Sequence, residues 1–525
     1  MHWSIAIAQE IVAKRKEKTE HVVATGITPS GAIHLGNLRE IIIADAVTSA
    51  IIGVGADEGV EADAKLIYIA DTFDPLRRRY SFLPPEYENH VGKPLSEIPD
   101  PDPEGRFLSY ADSFLLPFFD SLDDLGIQLE ILRADELYKS GQYVDAIKVA
   151  LSRKEELSRI IETVTGRRLS EDWSPFNPLC DACGRITAAV VKDYVIGEEE
   201  AYYECECGNK GIASFRGGGK LAWRVDWAAR WKILGITVEP FGKDHAAPGG
   251  SFETGRRISS EIYNYEVPYP IPFEHILLKQ ELNGEKAKVA AMSSSRGTNI
   301  PVHKILKAVP PEVLKHLILR VRPEKHIEFN PTLPLLNLID EYEREIGGIG
   351  RGIAREITFR HLVTIVQIAR GDSSRLRDVI ERSGYVLSVS DSASEECEEE
   401  GEELKEIEKK ARYVENWLRT YAPESVKFDL QYELPVEELR NLSGPQKDAL
   451  RLMAQELQDG ISASADEWHN KIYTIASTTG MDVKEVFKAI YIALLKKPSG
   501  PRAGWLLASL DLEFLKERFE AAGRL

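Results

Sequence analysis

A β-prone run at His21–Ala24 ends in Thr25-Gly26. It is followed by a loop, Ile27–Gly36, an apolar helix-like stretch, Leu38–Ile52, and a second strand-like run, Lys65–Ala70. Strand, loop, helix and strand in that order predict a parallel α/β unit, because a strand that returns parallel to its neighbour needs a crossover long enough to hold a helix. Periodicity of the same kind continues through Lys220–Leu234 and a strand-like Ile236–Pro240. From about residue 310 the pattern changes. Val313–Arg320, Ile357–Ala369, Pro445–Leu457 and Val483–Leu495 carry apolar residues at helical spacing, the third with Pro445 in its first turn and Ser443 just upstream. The chain therefore divides into an N-terminal α/β part, 1–309, and an all-helical part, 310–525.

Three separated segments of the α/β part suit a nucleotide. In Thr28-Pro29-Ser30-Gly31-Ala32-Ile33-His34-Leu35-Gly36-Asn37 the chain leaves a strand and enters a helix. A helix N-terminus attracts anions, His34 and Asn37 add donors for a triphosphate, and Gly36 permits close approach. Phe241–Gly250 follows a strand-like run, which places Gly242 and Asp244 at a sheet's C-terminal edge, with Asp244 suited to ribose hydroxyls. In Lys286–Gly297, basic groups and the hydroxyls of Ser293, Ser294 and Ser295 share one loop and can clamp phosphates where charge develops. These segments predict a parallel-sheet, Rossmann-like nucleotide-binding domain.

Cys180-x2-Cys183 and Cys205-x-Cys207 put four thiols in a short insertion, about 172–216, with Gly184 and Gly208 after each pair. Tetrahedral zinc takes four such ligands, and with all four used none is left for substrate, so a structural zinc knuckle is expected. The fifth cysteine, Cys397, lies in the acidic run Asp391–Lys410 and is no ligand candidate. Five cysteines in 525 residues exclude a disulfide scaffold and favour a reducing cytoplasm. No apolar run reaches bilayer length, and Met1–Glu10 leads into Lys14, Arg15, Lys16 and Lys18 with no cleavage site, so neither a membrane span nor a secretory signal is read.

The net charge of -18 opposes nucleic acid at long range. Part of it is local: the stretch 391–410 reads as a solvated or flexible acidic insertion. An RNA partner requires a segregated basic face, and Arg351, Arg355, Arg360, Arg370, Arg375 and Arg377 fall close enough together to supply one if they share a side of the helices.

Taken together, the three segments resemble the two signatures and the intervening loop of class I aminoacyl-tRNA synthetases. His34–Asn37 looks like the first signature and Met292–Ser295 like the second. Ala291 and Ser294 stand where that family commonly has lysines, so Lys288 or Arg296 is expected to supply the charge. Within the class, Gly26–Asn37, Asp74–Arg77, Gly92–Leu95, Ile98–Pro101, Gly242–Gly250 and Ser499–Gly504 resemble the lysyl enzymes over nearly the whole chain.

The resemblance implies ATP-dependent attachment of L-lysine to tRNA(Lys) through a lysyl-adenylate, with Mg2+ accompanying ATP. It also implies a lysine pocket of Gly26, Thr28, Trp223, His245 and Tyr269, and a helical cage that reads anticodon bases. Asp71 or Asp74 is read as acceptor for an ammonium, Asp71 above all. The glutamyl enzymes are the natural rival; they place an arginine ten residues before the signature histidine, where this chain has Ala24. A small-molecule adenylate-forming ligase and a non-catalytic tRNA-binding relative remain as further alternatives.

Overall fold

The computed structural model describes the chain apart from residues 16, 59–61, 281–287, 293–298, 388–395 and 458–462, and describes backbone alone at 57–58, 280, 288–291 and 396–402. Two compact units result. One comprises 1–305 and 315–329, the other 306–314 and 330–525.

The first unit is built on a sheet of β1 (Glu20–Ile27), β2 (Asp63–Ala70), β3 (Glu130–Arg133), β9 (Val238–Gly242) and β10 (Tyr269–Phe273), in the order β10-β9-β1-β2-β3. Every pairing is parallel. Val23, Ala24, Ile67, Tyr68 and Ile69 are buried, as expected for central strands covered on both faces. The helix Leu35–Glu58 crosses from β1 to β2 and extends the expected apolar stretch by about one turn at its start and nearly two at its end. The chain runs outward through β1, β2 and β3, then returns to the other side of β1 with β9 and β10. Strand order thus reverses between β1 and β9, and a crevice opens at their C-terminal ends.

Between β3 and β9 lies the cysteine module. β4 (Phe176–Pro178) pairs with β8 (Gly219–Leu221), closing the base of a three-stranded antiparallel sheet of β5 (Ala189–Val195), β6 (Glu200–Cys205) and β7 (Lys210–Ser214). The periodic stretch from Lys220 begins in β8 and continues as the helix Trp223–Ile233. A smaller sheet of β11 (Ile276–Gln280), β12 (Lys288–Ala291) and β13 (Ile327–Phe329) follows. Arg39, fully buried, joins the crossover helix to this sheet's ends by donating to the carbonyls of Glu274, His275, Arg322, Pro323 and Lys325. A guanidinium so buried must find acceptors, and five carbonyls supply them.

Among its described residues the second unit is helical. Phe359–Ala369, Gly444–Gln455 and Val483–Leu495 match the periodic stretches to within two residues. Ser443 caps the second of these in a reciprocal capping box with Gln446. The acidic run enters a helix, Glu396–Thr420, whose Lys410 is buried and donates to Glu343 and to the carbonyls of Ile349, Ala354 and Ile357. The end of that run is thus an anchor, not a solvated face. No helix among the described residues is long and apolar enough to cross a membrane.

Candidate active site

A cleft of about 480 Å3 occupies the crevice at the switch point. Its walls come from the end of β1 (Gly26, Ile27), the following loop (Thr28, Ser30), the helix start (His34, Gly36, Asn37, Glu40), the end of β9 (Gly242, Asp244, His245), Phe273 at the end of β10, and Met292. The first two segments singled out in the sequence converge here, joined by Met292 of the third. The backbone explains how the third arrives: Leu35 N–H donates to Ile300 O, Val302 N–H donates to Ile33 O, and His34 forms a bridge with Pro301. Ser293, Ser294, Ser295 and Arg296 lie outside the described residues, and so does the side chain of Lys288, whose backbone is in β12.

Local bonds set what His34 and Asn37 offer. The His34 ring is buried, which holds its pKa down at about 4, so it is neutral at pH 7. Its Nδ1 accepts from the Gly36 N–H at 3.1 Å. The proton therefore sits on Nε2, leaving that atom as a donor. The Asn37 carbonyl oxygen accepts from the His34 N–H at 3.2 Å, which leaves the Asn37 amide N–H groups free to point at a ligand. Gly36 is needed because the His34 ring folds over it: a Cβ there would meet His34 Cε1 at 2.9 Å. At Gly242 a Cβ would meet nothing within 4 Å, so the space is open to a ligand. Asp244 is at the cleft mouth, 3.3 Å from His275 Nε2.

Beneath Gly26 and Thr28 lies a buried ionic network. Arg230 donates to Asp71 at 2.5 Å and to Asp226 at 2.9 Å. The Lys220 ammonium meets Asp74 at 2.5 Å, and the Thr28 hydroxyl donates to the other Asp74 oxygen at 2.7 Å. Burial alone would lower the Lys220 pKa, but the carboxylates of Asp226, Asp74 and Asp71 outweigh it and hold the ammonium charged.

The network corrects one expectation. Asp71 does not line the cleft; it is paired with Arg230 and cannot be the free acceptor for an ammonium. Asp74 is likewise committed to Lys220. Sequence reading missed Glu40. This carboxyl lines the cleft, accepts the Gly26 N–H at 3.0 Å, and has no cationic partner among the described residues. Desolvation pushes its pKa up to about 8 against that single bond.

Tyr269 is a second correction. Its register partner is Val238, at the N-terminal end of β9, so it sits at the opposite end of the sheet from the cleft. There its hydroxyl donates to Glu10 at 2.7 Å, and the Lys14 ammonium lies over its ring. Phe273, four residues on and opposite Gly242, is the ring that strand presents to the cleft. Trp223 stands one ring away from the cleft wall: it stacks on Trp227 at 5.3 Å and packs on His245, which does line the cleft.

The four cysteine sulfurs lie within 4.8 Å of one another, with Cys180–Cys207 and Cys183–Cys205 both at 3.7 Å. Four sulfurs at ~2.3 Å from a tetrahedral ion are spaced by about 3.8 Å, so the cluster fits such an ion. Gly184 and Gly208, at φ 68° and 90°, make the turns that aim each pair inward. Five of the six arginines expected to form a basic face are engaged: Arg355 with carbonyls of the Ile346–Gly347 turn, and Arg360, Arg370, Arg375 and Arg377 with Asp340, Asp429, Asp372 and Glu381.

Residues 1–356 match the family model described as tRNA synthetases class I (K). A lysine--tRNA ligase of Archaeoglobus fulgidus is 44% identical over 99% of this chain and 100% of its own length. One from Methanosarcina barkeri is 44% identical over 99% and 98%. Among solved structures, a glutamate tRNA ligase from Elizabethkingia meningosepticum covers 96% of this chain and 99% of its own at 12% identity and a TM-score of 0.43, too loose a likeness to bear on substrate. The family match spans the whole α/β unit and the full-length relatives extend it through the helical one, so the chain belongs to the class I (K) tRNA synthetases.

Proposed function

We propose that this protein joins L-lysine to tRNA(Lys) through a lysyl-adenylate, with ATP entering as its Mg2+ complex. The observation that carries the reading is the pairing of an anion-binding mouth with an acidic foot in one cleft. His34 Nε2, the Asn37 amide and the helix N-terminus face the mouth, where a triphosphate needs donors. Glu40 lies deeper along the same helix and has no cationic partner among the described residues. Lysine bound with its carboxylate toward the phosphates presents its ammonium to Glu40, while Thr28, His245 and Phe273 enclose the stem. Asp244 suits the ribose, and Gly242 leaves room for it. The charge on the phosphates is assigned to Lys288, whose backbone is in β12, or to Arg296.

In this reading Cys180, Cys183, Cys205 and Cys207 hold a structural zinc ion, and four free thiols at ligand spacing favour a reducing cytoplasm. The helical unit receives the anticodon. Cavities of about 720, 570 and 220 Å3 share Arg502 and Trp505, and the Arg502 guanidinium, the Trp505 indole and the His361 ring stack in series, a surface suited to splayed bases. The test is charging of tRNA(Lys) with labelled lysine and ATP, glutamate serving as control. Charging with glutamate, or with neither, overturns the proposal.

A further inference from the structure

The loop after β2 carries an aromatic stack beside the cleft. Tyr80 is largely buried and lines the cleft beside Ser30 and His34. Phe82 stacks on it nearly parallel, 7° apart with centroids at 5.6 Å, and meets the edge of Phe114. Yet Phe82 remains 48% exposed, so a large part of the ring is open to solvent at the edge of the cleft. The loop is fixed: Leu83 N–H donates to Tyr80 O, and Arg79 donates to Leu83 O.

Charge surrounds this platform. Arg77, Arg78 and Arg79 precede it, all exposed. The Arg78 guanidinium lies 5.5 Å from the Tyr80 ring centre. Among the described residues neither Arg77 nor Arg78 forms an ion pair, whereas Arg79 faces Glu88. In a chain of net charge -18, three adjacent cations beside an open ring form a local exception.

We propose that Phe82, backed by Tyr80 and flanked by Arg77 and Arg78, seats the unpaired 3′ end of tRNA, one base stacking on the open ring and its phosphates meeting the guanidiniums. The inference rests on the aminoacyl-transfer reading above, which requires a ribose hydroxyl of that end to reach the cleft. Single strands offer the base faces that a duplex hides, and stacking on aromatic rings with cationic phosphate contacts is how proteins hold them. A docked protein segment would use the ring but has no need of two unpaired arginines.

The test uses the full-length protein and tRNA(Lys) carrying 2-aminopurine as its 3′-terminal base. Wild type quenches the fluorophore on binding. Phe82→Ala abolishes the quenching and raises the tRNA KM about 5- to 150-fold, the range for one lost stacked base. Phe82→Tyr restores both, and Arg77→Ser with Arg78→Ser weakens binding while flattening its salt dependence. Unchanged quenching in Phe82→Ala overturns the proposal. So does equal weakening toward tRNA with and without its terminal nucleotide, which would mark a structural or protein-docking role. If wild type quenches but charges no lysine, the functional reading falls and the seat stands.

Discussion

Replacing Glu40 by Gln tests the proposed lysine site at its acidic foot. In the empty cleft the carboxyl has a pKa of about 8, because desolvation outweighs the Gly26 N–H. Bound lysine needs the carboxylate, since the ammonium has donors only. Lysine binding therefore removes a proton from Glu40 at any pH below 8. The ionised fraction is about one in a hundred at pH 6 and about one half at pH 8, so apparent lysine affinity should rise roughly 50-fold between them. Lysine itself stays charged over that span. In Glu40→Gln the pH dependence should vanish and affinity at pH 8 should fall by roughly 30-fold or more, the cost of losing a buried charged partner being about 2–5 kcal/mol.

A carboxyl whose pKa is raised on folding contributes stability at low pH and loses it as pH climbs from the ordinary carboxylate range through 8. Lysine should therefore raise the melting temperature more at pH 8 than at pH 6. Calorimetric titration in two buffers of different ionisation enthalpy reads the proton directly, with close to one released per lysine at pH 6.5. A lysine affinity flat from pH 6 to 8, or a Glu40→Gln variant within threefold of wild type, would refute the assignment.

Three further outcomes follow from the same geometry. His34→Ala should slow adenylate formation by roughly one to three orders of magnitude, as expected for one oriented donor, with tRNA binding unchanged; burst kinetics in single turnover check it. Protein purified without chelator should contain one zinc per chain, and Cys183→Ser should lose it and lower the melting temperature, as elemental analysis and calorimetry would read. Lys220→Met should destabilise the fold by about 3–5 kcal/mol, because it strands Asp74 in a buried site. Lys220→Met with Asp74→Asn should recover much of that in urea unfolding, and strict additivity would argue against the pair.

The sequence disclosed what periodicity and local chemistry encode. β1, the crossover helix and β2 follow from one apolar pattern, and the cysteine pairs announce their cluster by spacing alone. Tyr269 and Phe273 show where such reading stops. Both sit on β10 four residues apart, on the same face by the strand's period of two. Which of them faces a ligand depends on the pairing Phe273↔Gly242, and that is tertiary information.

The partnership of Asp74 with Lys220 spans 146 positions and carries no local signal at all. Without it Asp71 and Asp74 look like free acceptors. Glu40 did leave a trace: Arg39 and Glu40 are adjacent charges near the head of a mostly apolar helix. A charge on a covered helix must be paired or functional, and here one of the two is each. Arg39 is spent on five carbonyls, and Glu40 faces the cleft.

The same network supports the proposed preference of the cleft for a cation. Around Gly26, three carboxylates, Asp71, Asp74 and Asp226, share two cations, Lys220 and Arg230, and so leave one negative charge in excess before Glu40 is counted. An arginine is thus present close to where a glutamate side chain would need one: Arg230 Nη1 lies 3.4 Å from the position of a Gly26 Cβ. Its charge is already committed to Asp71 and Asp226. Releasing it for a substrate carboxylate would leave Asp71, Asp74 and Asp226 to share Lys220 alone, at a cost of several kcal/mol. Ala24, buried in β1, supplies no replacement. Among the described residues a glutamate substrate would therefore meet an acidic floor with no uncommitted cation, whereas in the proposed pose lysine would meet that floor and the Glu40 carboxyl. Discrimination lies as much in the repulsion built against the wrong charge as in the contact offered to the right one.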